Sequence, residues 1–226
     1  VTARYVLRPE VPPHGAVVYV AGVGGRTNVV RNWRSSGWHV SAAVWTRPTE
    51  PGSVRMRGRK LAETLCGHQV SQVVLLGHSL GALIAYEAAA HAPELVSSLV
   101  LAAQYPPHAM NRCSQRDLER TSVLADLTAS VPAELAQSAE FLALMRDVWK
   151  KEYRMIEEYE ASEPTTVPMA VVGAAEDSSS CDEGILREWD RYTTGEVTTR
   201  VVPGEHTFVE LLSAAGVRDL LRECCS

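Results

Sequence analysis

The chain has 226 residues, 46% of them hydrophobic and 22% charged, which suits one soluble globular domain with a full core. Its net charge of −5, with both signs mixed along the chain, gives no electrostatic basis for binding nucleic acid or an anionic membrane surface. The five cysteines, Cys66, Cys113, Cys181, Cys224 and Cys225, are irregularly spaced and form no C-x-x-C pair, which argues against a disulfide framework or a zinc site and points to a reducing cytoplasm.

Val1 to Leu7 reads as a short edge strand, and Pro9, Pro12 and Pro13 follow without a long apolar segment, so no secretory signal is expected. The longest apolar stretch, around Ala16 to Val23, is too short for a membrane span. Within it, Ala16 to Val20 is a continuous β-branched run and predicts a buried strand. A glycine-rich loop follows, Ala21-Gly22-Val23-Gly24-Gly25-Arg26. It lacks the G-x-G-x-x-G order of a dinucleotide site. Thr27 or Asn28 is expected to cap a helix to about Ser35, and His39 to Val44 is the next strand. Val54 to Cys66 has the periodicity of an amphipathic helix, with Arg55, Arg57 and Arg59 expected on a solvated face.

Val73 to Leu76 is a strand, Gly77-His78-Ser79-Leu80-Gly81 is G-x-S-x-G, and a helix-forming run continues to about His91. Strand, G-x-S-x-G, helix is the context of a nucleophile elbow, in which the turn lifts the serine hydroxyl out of the sheet edge. Ser98 to Ala102 is a further strand, so the alternation calls for a parallel sheet with helices on both faces. From Gln104 to Glu163 strand signals stop. Helical patterns over Asp117 to Leu127, Ala133 to Leu144 and on to about Glu160 predict a helical insertion, over about 105–163, where a lid would sit. A helical layer that only covers core explains the same periodicity. Val167 to Val172 resumes the sheet, Asp182 to Tyr192 looks helical, Thr198 to Val202 is the last strand, and a terminal helix runs to about Glu223. One domain is expected over 1–226, of the α/β class, with a mostly parallel central sheet flanked by helices.

An elbow serine needs a base, and the base needs an orienter. In α/β-hydrolase chains the order is Ser, acid, His. Here Ser79, Asp177 and His206 fall in that order on loops after strands, at the sheet edge where open α/β folds place their sites. Glu176 and Asp182 compete for the acid role, and the position after the preceding strand offers only Gln104. Among the other histidines, His78 is expected to point away from Ser79, and His108 opens the lid region as a substrate contact. The oxyanion donors expected are the Leu80 N–H and, from the glycine-rich loop, the N–H of Val23 or of a residue within two of it. The chemistry so read needs no metal and no cofactor.

Several segments together resemble the stand-alone type II thioesterases of polyketide and nonribosomal peptide biosynthesis. They are Gly77 to Ala82; Tyr105-Pro106-Pro107-His108; Val131 to Leu135 with Phe141 to Val148 and Tyr153 to Tyr159 in the lid; and Val172 to Asp177, Trp189 and Val202-Pro203-Gly204 with His206. The resemblance implies an α/β-hydrolase fold with a mobile helical lid. It implies a substrate acyl group carried as a thioester on the phosphopantetheine arm of an acyl or peptidyl carrier protein. Three places depart from the family pattern: the Ala21 to Arg26 loop, the Trp45 to Pro51 loop, and Glu205 and Thr207 on either side of His206. These departures leave open an offloading cyclase. The rival readings are a small-molecule carboxylesterase on the same fold and a non-catalytic partner-binding protein.

Overall fold

A computed structural model describes residues 3–10, 12, 15–47, 49–50, 52–112, 135 and 137–224. The strands are β1 (Tyr5–Arg8), β2 (Ala16–Val20), β3 (His39–Trp45), β4 (Val73–His78), β5 (Val96–Ala102), β6 (Met169–Ala174) and β7 (Val197–Val202). The α-helices are α1 (Val54–Gly67), α2 (Leu80–His91), α3 (Ala139–Glu157), α4 (Glu183–Arg187), α5 (Phe208–Leu211) and α6 (Ala214–Cys224). The strands form one sheet in the order β1-β3-β2-β4-β5-β6-β7, parallel throughout except for β1, which runs antiparallel to β3. This is the mostly parallel sheet of the α/β-hydrolase fold.

The central strands β2, β4 and β6 are buried at every position, as expected of apolar runs covered on both faces. The edge strand β7 is only partly covered and carries Thr198, Thr199 and Arg200. One apolar cluster lies between the sheet and α1, α2, α3 and α4. The other joins the opposite face to Val29, Val30 and Trp33 and to Val217, Leu220 and Leu221 of α6. From β2 the chain steps one way to β3 and then returns past β2 to β4. The direction in which successive strands are added therefore reverses between β2 and β4, and open α/β sheets bind their ligands at such a switch point. The glycine-rich loop leaves β2 there and the elbow leaves β4, with Val20 and Gly77 in register.

Several expectations need correction. Thr27 and Asn28 lie inside a 3-10 helix, Thr27–Trp33, that starts after Arg26 without a side-chain cap. Arg57 is not on a solvated face. It is 4% exposed, donates to Glu152 Oε1 at 3.0 Å and lies 5.1 Å from the centre of the Trp45 ring. Within the stretch expected as a helix from Ala133, Leu135 is helical, Gln137 and Ser138 are not, and α3 begins at Ala139, where Ser138 accepts from the Phe141 N–H at 3.2 Å and caps it. α3 then runs unbroken to Glu157. The stretch expected as one helix from Asp182 is α4 followed by a 3-10 turn, Glu188–Tyr192, and the terminal helix is split into α5 and α6. The expected helix over Asp117 to Leu127, and Val131 to Glu134, lie outside the described residues.

Of α3, only the C-terminal half is buried, through Val148, Trp149, Glu152 and Met155, while Leu144 is 52% exposed. Beyond it the chain is tied to α2. The buried Glu87 carboxylate accepts from the Tyr159 hydroxyl (2.7 Å), the Ser162 N–H (2.9 Å) and the Ser162 hydroxyl (2.6 Å). Those bonds compensate a charge set in an otherwise apolar helix.

Candidate active site

The elbow is built by close backbone approach. Ser79 has φ 54° and ψ −123°, a conformation that costs a non-glycine residue about 1–3 kcal/mol. The neighbours hold it there. The Ser79 N–H donates to the Ala102 carbonyl of β5 at 2.9 Å, and the Ser79 carbonyl accepts from Ala82 N–H at 2.8 Å. A Cβ on Gly77 would stand 2.5 Å from Ala82 Cα, and one on Gly81 would stand 2.0 Å from the Val20 carbonyl oxygen, so only glycine fits either place. Ser79 stands at the N-cap of α2, yet its side chain makes no capping bond. Its hydroxyl is thus not spent on the helix, as an N-cap serine's usually is.

His206 and Asp177 meet. His206 Nδ1 is 2.7 Å from Asp177 Oδ2, and the Asp177 side chain is buried. The loop after Asp177 wraps the carboxylate. Oδ1 accepts from the Ser179 N–H (3.0 Å) and the Ser179 hydroxyl (2.6 Å), and Oδ2 accepts from the Ser180 hydroxyl (2.7 Å). Sequence reasoning took these serines only as a polar loop; hydroxyls two and three residues after an acid were the signal. The two competing acids are used elsewhere. Glu176 accepts from the Gly204 N–H, and Asp182 caps α4. His78 is buried beside His206, with ring centres 5.1 Å apart, and its Nε2–H donates to the His206 carbonyl at 2.7 Å. His108 engages Glu188 (2.7 Å) and the Tyr192 hydroxyl (3.0 Å).

The glycine-rich loop passes directly over the serine. A Cβ on Gly22 would be 3.0 Å from Ser79 Cβ. The N–H groups that follow are taken in turn. Gly24 donates to Glu152 Oε2 of α3 (3.4 Å), Gly25 to the Gly22 carbonyl (3.1 Å) and Arg26 to Glu210 Oε1 of α5 (3.2 Å). Among the described residues, the Val23 and Leu80 N–H groups donate to no protein group. Glu152, Arg57 and Glu210 escaped sequence reasoning, because nothing in a single chain's spacing announces a buried carboxylate's distant partner. Burial raises the Glu152 carboxyl above the ordinary carboxylate range; Arg57 and the Gly24 N–H hold part of that rise back. No group of three His, Cys, Asp or Glu among the described residues is placed to hold a metal, and none of the described helices is long and apolar enough to cross a membrane.

Residues 59–224 match the family model for the thioesterase domain, and the chain belongs to that family. By class it is a thioester hydrolase on an α/β-hydrolase fold. Among solved structures it is similar to RedJ, a thioesterase from the prodiginine biosynthetic pathway of Streptomyces coelicolor, at 22% identity over 95% of this chain and 85% of that one, with a TM-score of 0.72. It is similar to YbtT, the type II thioesterase of the yersiniabactin pathway, at 20% identity over 96% of each chain, with a TM-score of 0.73. A third likeness is BorB, the type II thioesterase of the borrelidin biosynthetic cluster, at 18% identity over 98% of this chain and 96% of that one, with a TM-score of 0.71. No curated protein matches the sequence.

Proposed function

We propose that this chain hydrolyses acyl groups from the phosphopantetheine arm of an acyl or peptidyl carrier protein, in editing or product release, through a Ser79–His206–Asp177 triad and an acyl-enzyme. The observation that carries the triad is the 2.7 Å contact between His206 Nδ1 and the buried, serine-wrapped Asp177 carboxylate, on the same sheet edge as the strained Ser79 turn. Nδ1–H donates to Asp177, so Nε2 is left unprotonated to act as the base. Ser79 Oγ attacks the thioester carbonyl and His206 Nε2 takes its proton. The oxyanion is held by the Leu80 and Val23 N–H groups, with α2 directing its N-terminus at the same point. Breaking of the C–S bond releases the thiol, which receives the proton from His206. Water, deprotonated by His206, then attacks the acyl-serine ester. The carboxylic acid leaves and Ser79 recovers its proton.

The carrier-bound substrate is supported by the fold-level likeness to thioesterases of biosynthetic pathways and by the family's chemistry. Irregular cysteine spacing favours a reducing cytoplasm as the setting. The helical stretch around α3 is the proposed lid, within one domain spanning 1–226.

The test compares acyl groups offered as carrier-protein thioesters, as N-acetylcysteamine thioesters and as matched oxygen esters, with Ser79→Ala as control. Carrier thioesters are expected to turn over fastest, and Ser79→Ala to lose both turnover and fluorophosphonate labelling. Faster oxygen-ester hydrolysis would identify a carboxylesterase instead. Cyclised product would identify an offloading cyclase. Undiminished turnover by Ser79→Ala would remove the triad.

A further inference from the structure

Glu210 carries a buried carboxylate that the proposed chemistry does not use. It lies four residues after His206, on a one-turn helix whose neighbours Phe208 and Val209 are apolar and buried. Burying a carboxylate costs several kcal/mol unless hydrogen bonds repay it, and an apolar side chain would cover the core more cheaply. The groups around this one are specific. Oε1 accepts from the Arg26 N–H (3.2 Å) and the Tyr19 hydroxyl (3.5 Å), and Oε2 from Arg26 Nε–H (3.4 Å). Oε1 also stands 3.9 Å from His78 Nδ1. The other side of that imidazole donates to the His206 carbonyl. Burial raises the Tyr19 phenol well above its ordinary value, and Glu210 raises it further, so Tyr19 stays a neutral donor.

One carboxylate thus binds the glycine-rich loop through Arg26 and belongs to the His206 segment through its own helix, while His78 of the elbow packs beside it and is bonded to the His206 carbonyl. A Cβ on Gly25 would come to 3.0 Å from Glu210 Oε1, so a side chain at that position would press on the carboxylate. With the Arg26 N–H turned toward Glu210 and the Gly24 N–H toward Glu152, the Val23 N–H remains on the stretch that passes over Ser79. We infer that Glu210 is a positioning residue that sets the oxyanion loop and the His206 segment against each other, acting through Arg26 and His78. The inference rests on the triad reading above, with the loop supplying an oxyanion donor.

The experiment measures kcat and KM for an acyl-N-acetylcysteamine thioester, per site titrated with a fluorophosphonate, alongside thermal unfolding. A misplacement of about 1 Å can cost roughly a hundredfold in rate, so Glu210→Ala is expected to lose roughly ten- to hundredfold in kcat with KM nearly unchanged. Glu210→Gln keeps one acceptor oxygen but turns an NH2 group toward an Arg26 donor, and is expected to fall between wild type and Glu210→Ala. His78→Phe keeps the ring and removes the Nε2–H, and is expected to lower kcat likewise. Wild-type kcat per titrated site in Glu210→Ala, with only a lower melting temperature, overturns the inference and leaves Glu210 a packing residue. Should Glu210→Ala not fold, wild-type kcat in both Glu210→Gln and His78→Phe overturns it. Ser79→Ala, run beside them, separates this from failure of the triad reading: if that variant turns over normally, the site itself is wrong whatever Glu210 does.

Discussion

Asp177 accepts from two serine hydroxyls, the Ser179 N–H and His206, so its carboxylate is fixed before any substrate arrives. Asp177→Asn keeps the shape but presents an NH2 group to His206 Nδ1, which imposes the wrong tautomer. Its kcat is expected to fall by roughly 10⁴-fold while the far-UV circular dichroism spectrum stays unchanged. Ser79 makes the opposite point about stability. Its positive φ is a cost retained at a turn whose hydroxyl the following helix does not take up as a cap. Ser79→Gly relieves that cost, so it is expected to be more stable than Ser79→Ala by about 1 kcal/mol in urea unfolding, although neither turns over substrate. Equal midpoints for the two would mean that the turn is not strained. At this scale the sequence was legible where chain order speaks: Ser79, Asp177 and His206 each follow a strand. It was silent on Glu152 and Glu210, whose meaning lies in partners more than a hundred residues distant for Gly24 and Arg26.

Elements meet here at points of unusually close approach. A Cβ on Gly58 of α1 would fall 2.2 Å from Glu87 Cβ of α2. Gly58→Ala must push the helices apart and is expected to cost about 1–3 kcal/mol by thermal or urea unfolding, with kcat per titrated site retained. Glu87, displaced by that change, also anchors the chain that returns from α3 through Tyr159 and Ser162. The pairing of α3 with α1 has its own pH signature. Glu152 binds its proton more tightly folded than unfolded, because burial penalises the charged form. Its contribution to stability is therefore full below the ordinary carboxylate range and is lost as pH rises through the folded pKa. Glu152→Gln lacks that loss. The stability of Glu152→Gln relative to wild type is expected to rise with pH across that window, whatever constant penalty the unpaired Arg57 adds. A difference that does not vary with pH would show that Glu152 titrates alike in both states. The amphipathic pattern of α1 was readable, but not that Arg57 would turn inward. A long side chain can reach a buried partner that only the tertiary fold supplies.

Across the whole molecule a single sheet carries two apolar clusters, one on each face, built from alternate residues of the same strands. A strand cannot leave one cluster without leaving the other, so the described residues are expected to unfold as one unit. Trp33 reports on one face and Trp189 on the other. Variants retaining only one of these tryptophans are expected to show the same fluorescence midpoint in urea; separated midpoints would divide the proposed single domain. The alternation of apolar runs with helical periodicity determined the sheet, its parallel character and the carboxyl edge that carries the candidate site. Those follow from hydrogen-bonding geometry and the period of side-chain burial, which are local properties of the chain. The glycines of G-x-S-x-G determined the elbow for the same reason. What the tertiary structure alone decided is how the loops are held: which acid meets His206, which N–H groups of the glycine-rich loop are taken, and which charges are buried with partners. These depend on distances between segments far apart in sequence, and such distances exist only once β2, β4, β6 and β7 have been set parallel in one sheet.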